Sequence, residues 1–587
     1  MTIRRRTAPP DALRRLAARA GSPLLARLYA ARGIEAPEQL EHALARLLPF
    51  AAMKGIDAAA ARLAEAIHRR QRILIVGDYD ADGATATALG VLGLRAMGAQ
   101  VDFLVPDRQT LGYGLSPGVV EIATAMRPDL LVTVDNGIAA FDGIAAAQAR
   151  GIEVLVTDHH LAGDRVPDCI VVNPNQPGCD FPSKCIAGVG VMFYVLLALR
   201  ARLRAEGAFA GATGSADGAG NPHGDAAGGD GPASGPKLAQ WLDIVALGTV
   251  ADVVRLDHNN RILVTHGLAR IRSGKARPGI LALLRVAGRD HWRCSTTDIG
   301  FTLGPRINAA GRIADMHIGI DCLLADDPVS AEQLAQRLDR LNRERRELQA
   351  DMLEQAQAAL QSVDVAEGAS ICLYDPLWHT GIVGLLAGRL KETHHRPAIV
   401  FAPDAHGVLK GSGRSIAGLH LRDAIDLIDR RHPGLIRQFG GHAAAAGLSL
   451  GEGDWETFAA AFERVCAEAL DAAALSRVVE SDGELRVAEC DVATVRALDD
   501  VPWGQGFPAP AFDGEFAVLQ QRVVGEGHLK LSLLQRDDAG DEARREAILF
   551  GRAEPLPARI RAVYTPSVNE WQGRSSVQFV VQHWEAV

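Results

Sequence analysis

The stretch ILIVGDYDADG, Ile73 to Gly83, decides the fold. Four branched apolar residues run into Gly77 and then into three acids, Asp78, Asp80 and Asp82. A short run of that kind, bounded by glycine, reads as a strand buried on both faces. The residues after it, Gly83 to Met97, read as a helix. Working outward, the same theme recurs in VDFLV (101–105), LLVTV (130–134), EVLVT (153–157) and IVV (170–172), with Ala-rich helical stretches between most of them. Short Val/Ile/Leu strands alternating with helices predict an α/β fold with a parallel sheet covered on both faces.

Three of these strands end in acid. ILIVG leads into Asp78, Asp80 and Asp82, LLVTV into Asp135, and EVLVT into Asp158, His159 and His160. Ligands of an open parallel sheet bind beyond the carboxyl ends of its strands, so groups spread over eighty residues are expected to converge. Asp252, after the apolar run IVALGTVA, is a fourth candidate. Carboxylates crowded in this way repel one another unless cations neutralise them. Oxygen ligands with one or two imidazoles and no thiolate suit Mn²⁺ or Mg²⁺. Several shared carboxylates point to two ions, about 3.5–4 Å apart in such centres. The spacing Asp-x-Asp-x-Asp-Gly also opens a calcium-binding helix–loop–helix, but the closing Glu is missing and a strand precedes the acids.

At 587 residues the chain calls for three or more domains. Residues 1–50 read as a helical lead-in, with Leu13, Leu16, Leu24, Leu25 and Leu28 at helical spacing. The acid-bearing domain spans 51–328. It is interrupted at 206–236 by a Gly/Ala/Ser/Asp-rich insertion that is expected to be disordered. A connecting helix follows at 329–365, with Ser330 and Gln333 as a capping box and Val329 and Leu334 as a hydrophobic staple. A second α/β pattern occupies 366–475, and alternating runs such as HLKLSLL (528–534) mark a small β-domain at 476–587.

The formal charge of −9 excludes a uniformly basic coat. Basic residues are locally concentrated, however, with 11 Lys/Arg against three Asp between Arg255 and Arg312. On composition alone that concentration reads as a solvated face. The eight cysteines form no CxxC pair and read as reduced, structural residues. No apolar segment reaches membrane-spanning length and the N-terminus has no apolar leader core, so a cytoplasmic protein without membrane contact is expected.

DYDADG, VDNGI, TDHH and ALGTVADVV resemble the motifs of the DHH phosphoesterases. The later segments are similar to the RecJ-type single-strand exonucleases of that superfamily. They are PDRQTLGYGLS (106–116), AGVGVMF (187–193), GPRINAAGR (304–312), WHTGIVGLLAGRLKE (378–392), GSGRSIAGLHL (411–421) and FGGHAAAAGL (439–448). GHLKLSL (527–533) resembles their OB-like domain. The resemblance implies a DHH domain, a connecting helix, a DHH-associated α/β domain and a C-terminal OB-like domain. It also implies a 5′-to-3′ exonuclease that releases mononucleotides from single-stranded DNA with two Mn²⁺ or Mg²⁺ ions, in recombination and repair.

By the same resemblance Asp80, Asp82, Asp135, His159 and Asp252 are metal ligands, Asp78 and Asp158 supporting acids, and His160 a contact to the scissile phosphate. Ser412, Arg414, Gly440, Gly441 and His442 are phosphate-binding candidates, with Arg108, Arg306 and Arg312 beside them. Val76 departs from the pattern, because some relatives carry a histidine there. Single-strand-binding protein and a RecQ-type helicase are the implied partners. Two rival readings are a compact DHH phosphodiesterase for short oligonucleotides or cyclic dinucleotides, and a DHH-derived DNA-binding scaffold that does not cut. The first relatives stop soon after the GGHAAAAG-type segment, whereas this chain continues. The second lack part of the acid set that is complete here.

Overall fold

A computed structural model describes residues 2–106, 114–209, 235–360, 368–404, 406–525, 527–537 and 539–587. Most of the expected insertion at 206–236, and Arg108, lie outside the described residues. The chain forms two compact units. One comprises Arg5–Asp339 with Glu480–Val587, the other Arg340–Val479 with Met1–Arg4.

The first unit is built on a five-stranded sheet in the order Gln100–Leu104, Arg72–Gly77, Leu130–Val134, Glu153–Thr157, Ile170–Val172. Every neighbouring pair is parallel. Helices cover it, and Leu74, Ile75, Val76, Leu131, Val132, Leu155 and Val156 are all buried. Each such side chain contributes about 1.5–3 kcal/mol on burial. Register places the chemistry: Gly77 pairs with Val134, and Val134 with Thr157. The residues that follow this single row are Asp78, Asp135 and Asp158.

Asp252 arrives differently. The apolar run before it is the helix Leu242–Ala251, and Asp252 is its C-terminal cap. The basic residues between Arg255 and Arg312 also differ from expectation, because several are spent inside the fold rather than on a solvated face. Arg277 donates to the carbonyls of Leu323, Leu324 and Ala325 at the end of the helix His317–Leu324. Arg272 donates to Cys294 O, and the buried Arg261 lies over the Phe507 ring at 4.6 Å.

The same unit carries a closed barrel of five strands, Phe512–Val524, His528–Arg536, Glu542–Leu549, Arg574–Ala586 and Arg559–Trp571 in spatial order. Buried carboxylates pin it to the N-terminal segment. Asp513 accepts from Arg5, Arg561 and Ser481, and Asp482 pairs with Arg32 at 2.8 Å. Burial alone would raise the Asp513 pKa, but these donors hold it below the usual carboxylate range. Removing one partner from such a buried pair costs about 3–5 kcal/mol.

A single helix, Pro328–Leu360, carries the chain into the second unit. Its cap is not Ser330. The Asp327 carboxylate takes the Val329 and Ser330 backbone N–H groups at 3.0 and 2.8 Å, a stronger acceptor placed one residue ahead of the proline that starts the helix. The second unit holds a five-stranded mixed sheet in the order Ile436–Gly441, Ala445–Leu450, Leu409–Arg414, Ala398–Pro403, Ile371–Tyr374. The helices Val383–His394, Leu421–Arg431 and Trp455–Ala469 belong to it. No disulfide links the eight cysteines. No helix among the described residues is long and apolar enough to cross a membrane.

Candidate metal centre

Asp80 caps the helix Ala81–Ala96, its Oδ1 accepting from the Asp82 and Gly83 N–H groups at 2.9 and 3.0 Å. That cap throws Asp82 into the first turn, where the chain buries it completely. Asp82 is held there by backbone donors from the helix Gly188–Ala205: Gly188 N at 2.6 Å and Val189 N at 2.9 Å. Gly188 is required for a second reason. A Cβ there would stand 2.7 Å from Asp135 Cβ. Asp135 itself adopts φ +61°, a left-handed conformation that aspartate tolerates better than most residues. Its N–H donates to Thr157 O at 3.1 Å, which anchors the turn to the neighbouring strand.

His159 Nε2 lies 3.0 Å from Asp135 Oδ1, 3.6 Å from Asp252 Oδ2 and 3.8 Å from Asp82 Oδ2. Among the described residues it has no hydrogen-bond partner, although it is buried. Three groups of potential ligands overlap at this point: Asp82, His159 and Asp252; Asp135, His159 and His160; and Asp78, Asp80 and Asp135. Within each, the donor atoms fall within 4.8 Å of one another.

The electrostatics favour neutralising partners for the carboxylates, protons or cations. Burial and then the Asp80 charge push Asp82 up to about 7. Burial, followed by the charges of Asp82 and Asp80, holds Asp135 and Asp252 well above the usual carboxylate range. Burial and the neighbouring His160 lower His159 to about 4, which keeps its imidazole neutral and available as a ligand. A buried cluster of oxygen donors with one neutral imidazole, whose Nε2 lies among carboxylates and has no hydrogen-bond partner among the described residues, fits Mn²⁺ or Mg²⁺.

Asp158 plays a different part. Its Oδ2 accepts from Ile138 N at 2.9 Å, and its Oδ1 from the His159 and His160 N–H groups at 2.7 and 3.1 Å. Oδ1 also lies 2.8 Å from His160 Nδ1. Burial tends to raise its pKa, but the His160 hydrogen bond and charge win and lower it. His160 responds in the opposite sense. Burial lowers it, yet Asp158 raises it to about 9, so the imidazolium persists at neutral pH in the metal-free protein.

Composition and spacing give no sign of several supports. Asn308 Oδ1 accepts from Ala81 N at 2.8 Å, and a Cβ at Gly311 would stand 1.8 Å from Tyr79 O. The helix Gly304–Ile313 therefore lies directly on the metal loop. Asn136 Nδ2 donates to Val76 O and Val134 O, tying two strand ends together. Val76 is fully buried and offers the centre no ligand.

Arg306 and Arg312 sit on the helix Gly304–Ile313, and the other described candidates belong to the second unit. Arg306 donates to Thr302 O at 2.7 Å and pairs with Asp339 at 2.9 Å, so its fork is engaged within the protein. Arg312 lies in the last turn of the helix Gly304–Ile313. In the second unit, Ser412 pairs across strands with Gly447, and Gly447 with Gly440. Arg414 Nη1 donates to Gly413 O at 2.8 Å and approaches Ser412 Oγ at 3.3 Å. A Cβ at Gly384 would meet Ser412 Oγ at 2.8 Å and Arg414 Nη2 at 3.3 Å, so the first turn of the helix Val383–His394 faces both. Gly441 takes φ +139°, and the His442 N–H donates to Ala445 O at 2.8 Å.

Comparison with known proteins adds the family context. The family described as "DHH family, N-terminal domain" matches residues 72–213, the DHHA1 domain matches 367–468, and the RecJ OB domain matches 481–583. The single-stranded-DNA-specific exonuclease RecJ of Dickeya dadantii (strain 3937) is 48% identical over 571 residues, covering 95% of each chain. The RecJ of Escherichia coli (strain K12) is 45% identical over 572 residues, covering 96% of this chain and 95% of its own. Among solved structures, RecJ of Thermus thermophilus in complex with Mn²⁺ superposes with a TM-score of 0.80 at 30% identity, covering 100% of this chain and 80% of that one. Its complex with Mg²⁺ gives a TM-score of 0.75 at 29% identity, covering 100% of this chain and 78% of that one.

Proposed function

Because the chain belongs to the RecJ family of single-stranded-DNA-specific exonucleases, we propose that it removes 5′-mononucleotides from the 5′ end of single-stranded DNA with two divalent ions. It is a metal-dependent exonuclease acting on single-stranded DNA, and Mn²⁺ and Mg²⁺ are its cofactors. The observation that carries the reading is the buried, unbonded His159 Nε2 ringed by carboxylates of Asp82, Asp135 and Asp252. A non-catalytic scaffold has no use for such a costly cluster.

Asp80, Asp82, Asp135, His159 and Asp252 would hold the ions in this reading, Asp135 belonging to two of the overlapping ligand groups, and Asp78 would orient ligands or water. The bound ions supply an activated water and neutralise charge on the phosphoryl group. Asp158 keeps His160 protonated, and His160 presents a charged N–H to the scissile phosphate as negative charge develops. Ser412, Arg414, Gly440, Gly441 and His442 receive the terminal 5′ phosphate, which sets polarity. Arg312 and Arg108 serve the strand as further contacts, whereas the Arg306 fork braces its own helix. The domain division read from the sequence, with catalytic, associated and OB-like parts, goes with this assignment. A cytoplasmic location, and single-strand-binding protein and a RecQ-type helicase as partners in recombination and repair, complete the proposal.

One assay tests it. Single-stranded DNA labelled at either end is incubated with the protein and Mn²⁺ or Mg²⁺, then with chelator. Mononucleotides released from the 5′ end, loss of activity with chelator, and little action on blunt duplex are expected. Release from the 3′ end, or activity confined to dinucleotides, contradicts the reading.

A further inference from the structure

Phe301 is 81% exposed, among the most exposed large apolar side chains described. It stands in a π-helical turn, Ile299–Leu303, which leads into the helix Gly304–Ile313. π-Turns are rare insertions in helices and are frequent at functional sites. This one packs on the helix end that delivers Asp252. A Cβ at Gly300 would meet Val250 Cγ1 at 3.6 Å, and one at Gly304 would meet Ala251 Cβ at 3.1 Å. The turn is also braced. Arg306 caps the Thr302 carbonyl at 2.7 Å while Asp339 holds its guanidinium at 2.9 Å, so the two side chains fix the backbone on which Phe301 stands. Two further apolar side chains are exposed immediately after residues of the centre: Leu161 (65%) follows His160, and Val253 (63%) follows Asp252. Val253 takes φ +59°, a conformation that a β-branched residue adopts only under constraint.

We propose that Phe301, on a turn braced by Arg306 and Asp339, is a stacking platform for one nucleobase of the DNA strand near the cleaved phosphodiester. The inference rests on the single-strand exonuclease reading above. Metal ligands and imidazolium recognise only phosphate, so they leave the base free to swing. An aromatic ring carried on a turn that packs against the helix ending at Asp252 supplies the missing apolar contact, and every base offers it a π-face. Stacking therefore fixes the nucleotide without selecting sequence.

The test compares the full-length wild type with Phe301→Ala, Phe301→Leu and Phe301→Trp in Mg²⁺. The substrates are single-stranded oligonucleotides, either intact or carrying one abasic nucleotide at the first, second, third or fourth position from the 5′ end. Phe301→Ala and Phe301→Leu are expected to raise KM about five- to hundredfold on intact DNA, and Phe301→Trp to restore it. At one abasic position the wild type loses the same factor and Phe301→Ala adds nothing further. An equal penalty for Phe301→Ala on intact DNA and all four abasic substrates, or no penalty anywhere, overturns the platform. A wild type that degrades no single-stranded DNA overturns the exonuclease reading instead, so the two failures are distinct.

Discussion

His159 Nε2 approaches Asp135 Oδ1 to 3.0 Å without forming a hydrogen bond. Asp252 Oδ2 at 3.6 Å and Asp82 Oδ2 at 3.8 Å surround the same nitrogen, a donor set that fits one ion. Asp135→Ala is accordingly expected to reduce cleavage by roughly a thousandfold or more, because the ions and the attacking water lose their shared anchor. Strand affinity, measured by fluorescence anisotropy, should stay within a few-fold of wild type. An active Asp135→Ala protein would show that the acid cluster has been misread.

The metal-free protein should lose stability as pH rises. Asp82 is raised from the ordinary carboxylate value of 3.8 to about 7, and Asp135 and Asp252 move in the same direction. A raised carboxylate contributes stability fully below its unfolded pKa and loses it as pH passes through the folded one. In chelator, the melting temperature should therefore fall between pH 4 and about pH 7. Added Mn²⁺ should raise it by more at pH 8 than at pH 5, since binding must displace protons at the lower pH. A metal-induced gain independent of pH would argue against carboxylate ligands.

Asp158 and His160 form a separate pair, readable by NMR of labelled histidine in the metal-free protein. His160 should titrate near 9 and His159 near 4. Asp158→Asn removes the carboxylate that raises His160, so its titration should move down by more than one pH unit while His159 shifts less. In stability terms the His160 contribution is complete below 6.5 and is lost as pH rises through about 9. Two histidines titrating together near 6.5 would refute the division of labour between them.

Gly188→Ala tests whether the centre is as closely packed as described. The new methyl would stand 2.7 Å from Asp135 Cβ and 2.8 Å from its Oδ1. Overpacking of this kind costs about 1–3 kcal/mol, and here the displaced group is a metal ligand. Activity should fall by at least about a hundredfold. The melting temperature should drop by only a few degrees, which separates lost ligand geometry from unfolding. Wild-type activity in this variant would mean that Asp135 has room to move.

The strands were legible because burial on both faces writes an unbroken apolar run, and Ile73–Gly77, Leu130–Val134 and Glu153–Thr157 carry it plainly. Their acids were legible because register makes Gly77, Val134 and Thr157 neighbours. The supports were not. Gly188 N and Val189 N act on Asp82 through the backbone, which has no residue identity, and Asn308 reaches Ala81 from 227 positions away. Arg277 shows the reverse case: an arginine read as part of a solvated face meets bare helix carbonyls once the chain folds. Ser330 failed as a cap because Asp327 stood nearer the true helix start with a charged acceptor.

The most direct measurement is anomalous diffraction from crystals of the full chain grown with Mn²⁺. Two peaks about 3.5–4 Å apart are predicted, enclosed by Asp80, Asp82, Asp135, His159 and Asp252, with Asp135 touching both. An empty cluster with His159 Nε2 still unbonded at saturating Mn²⁺, or ions bound only elsewhere, would contradict the account.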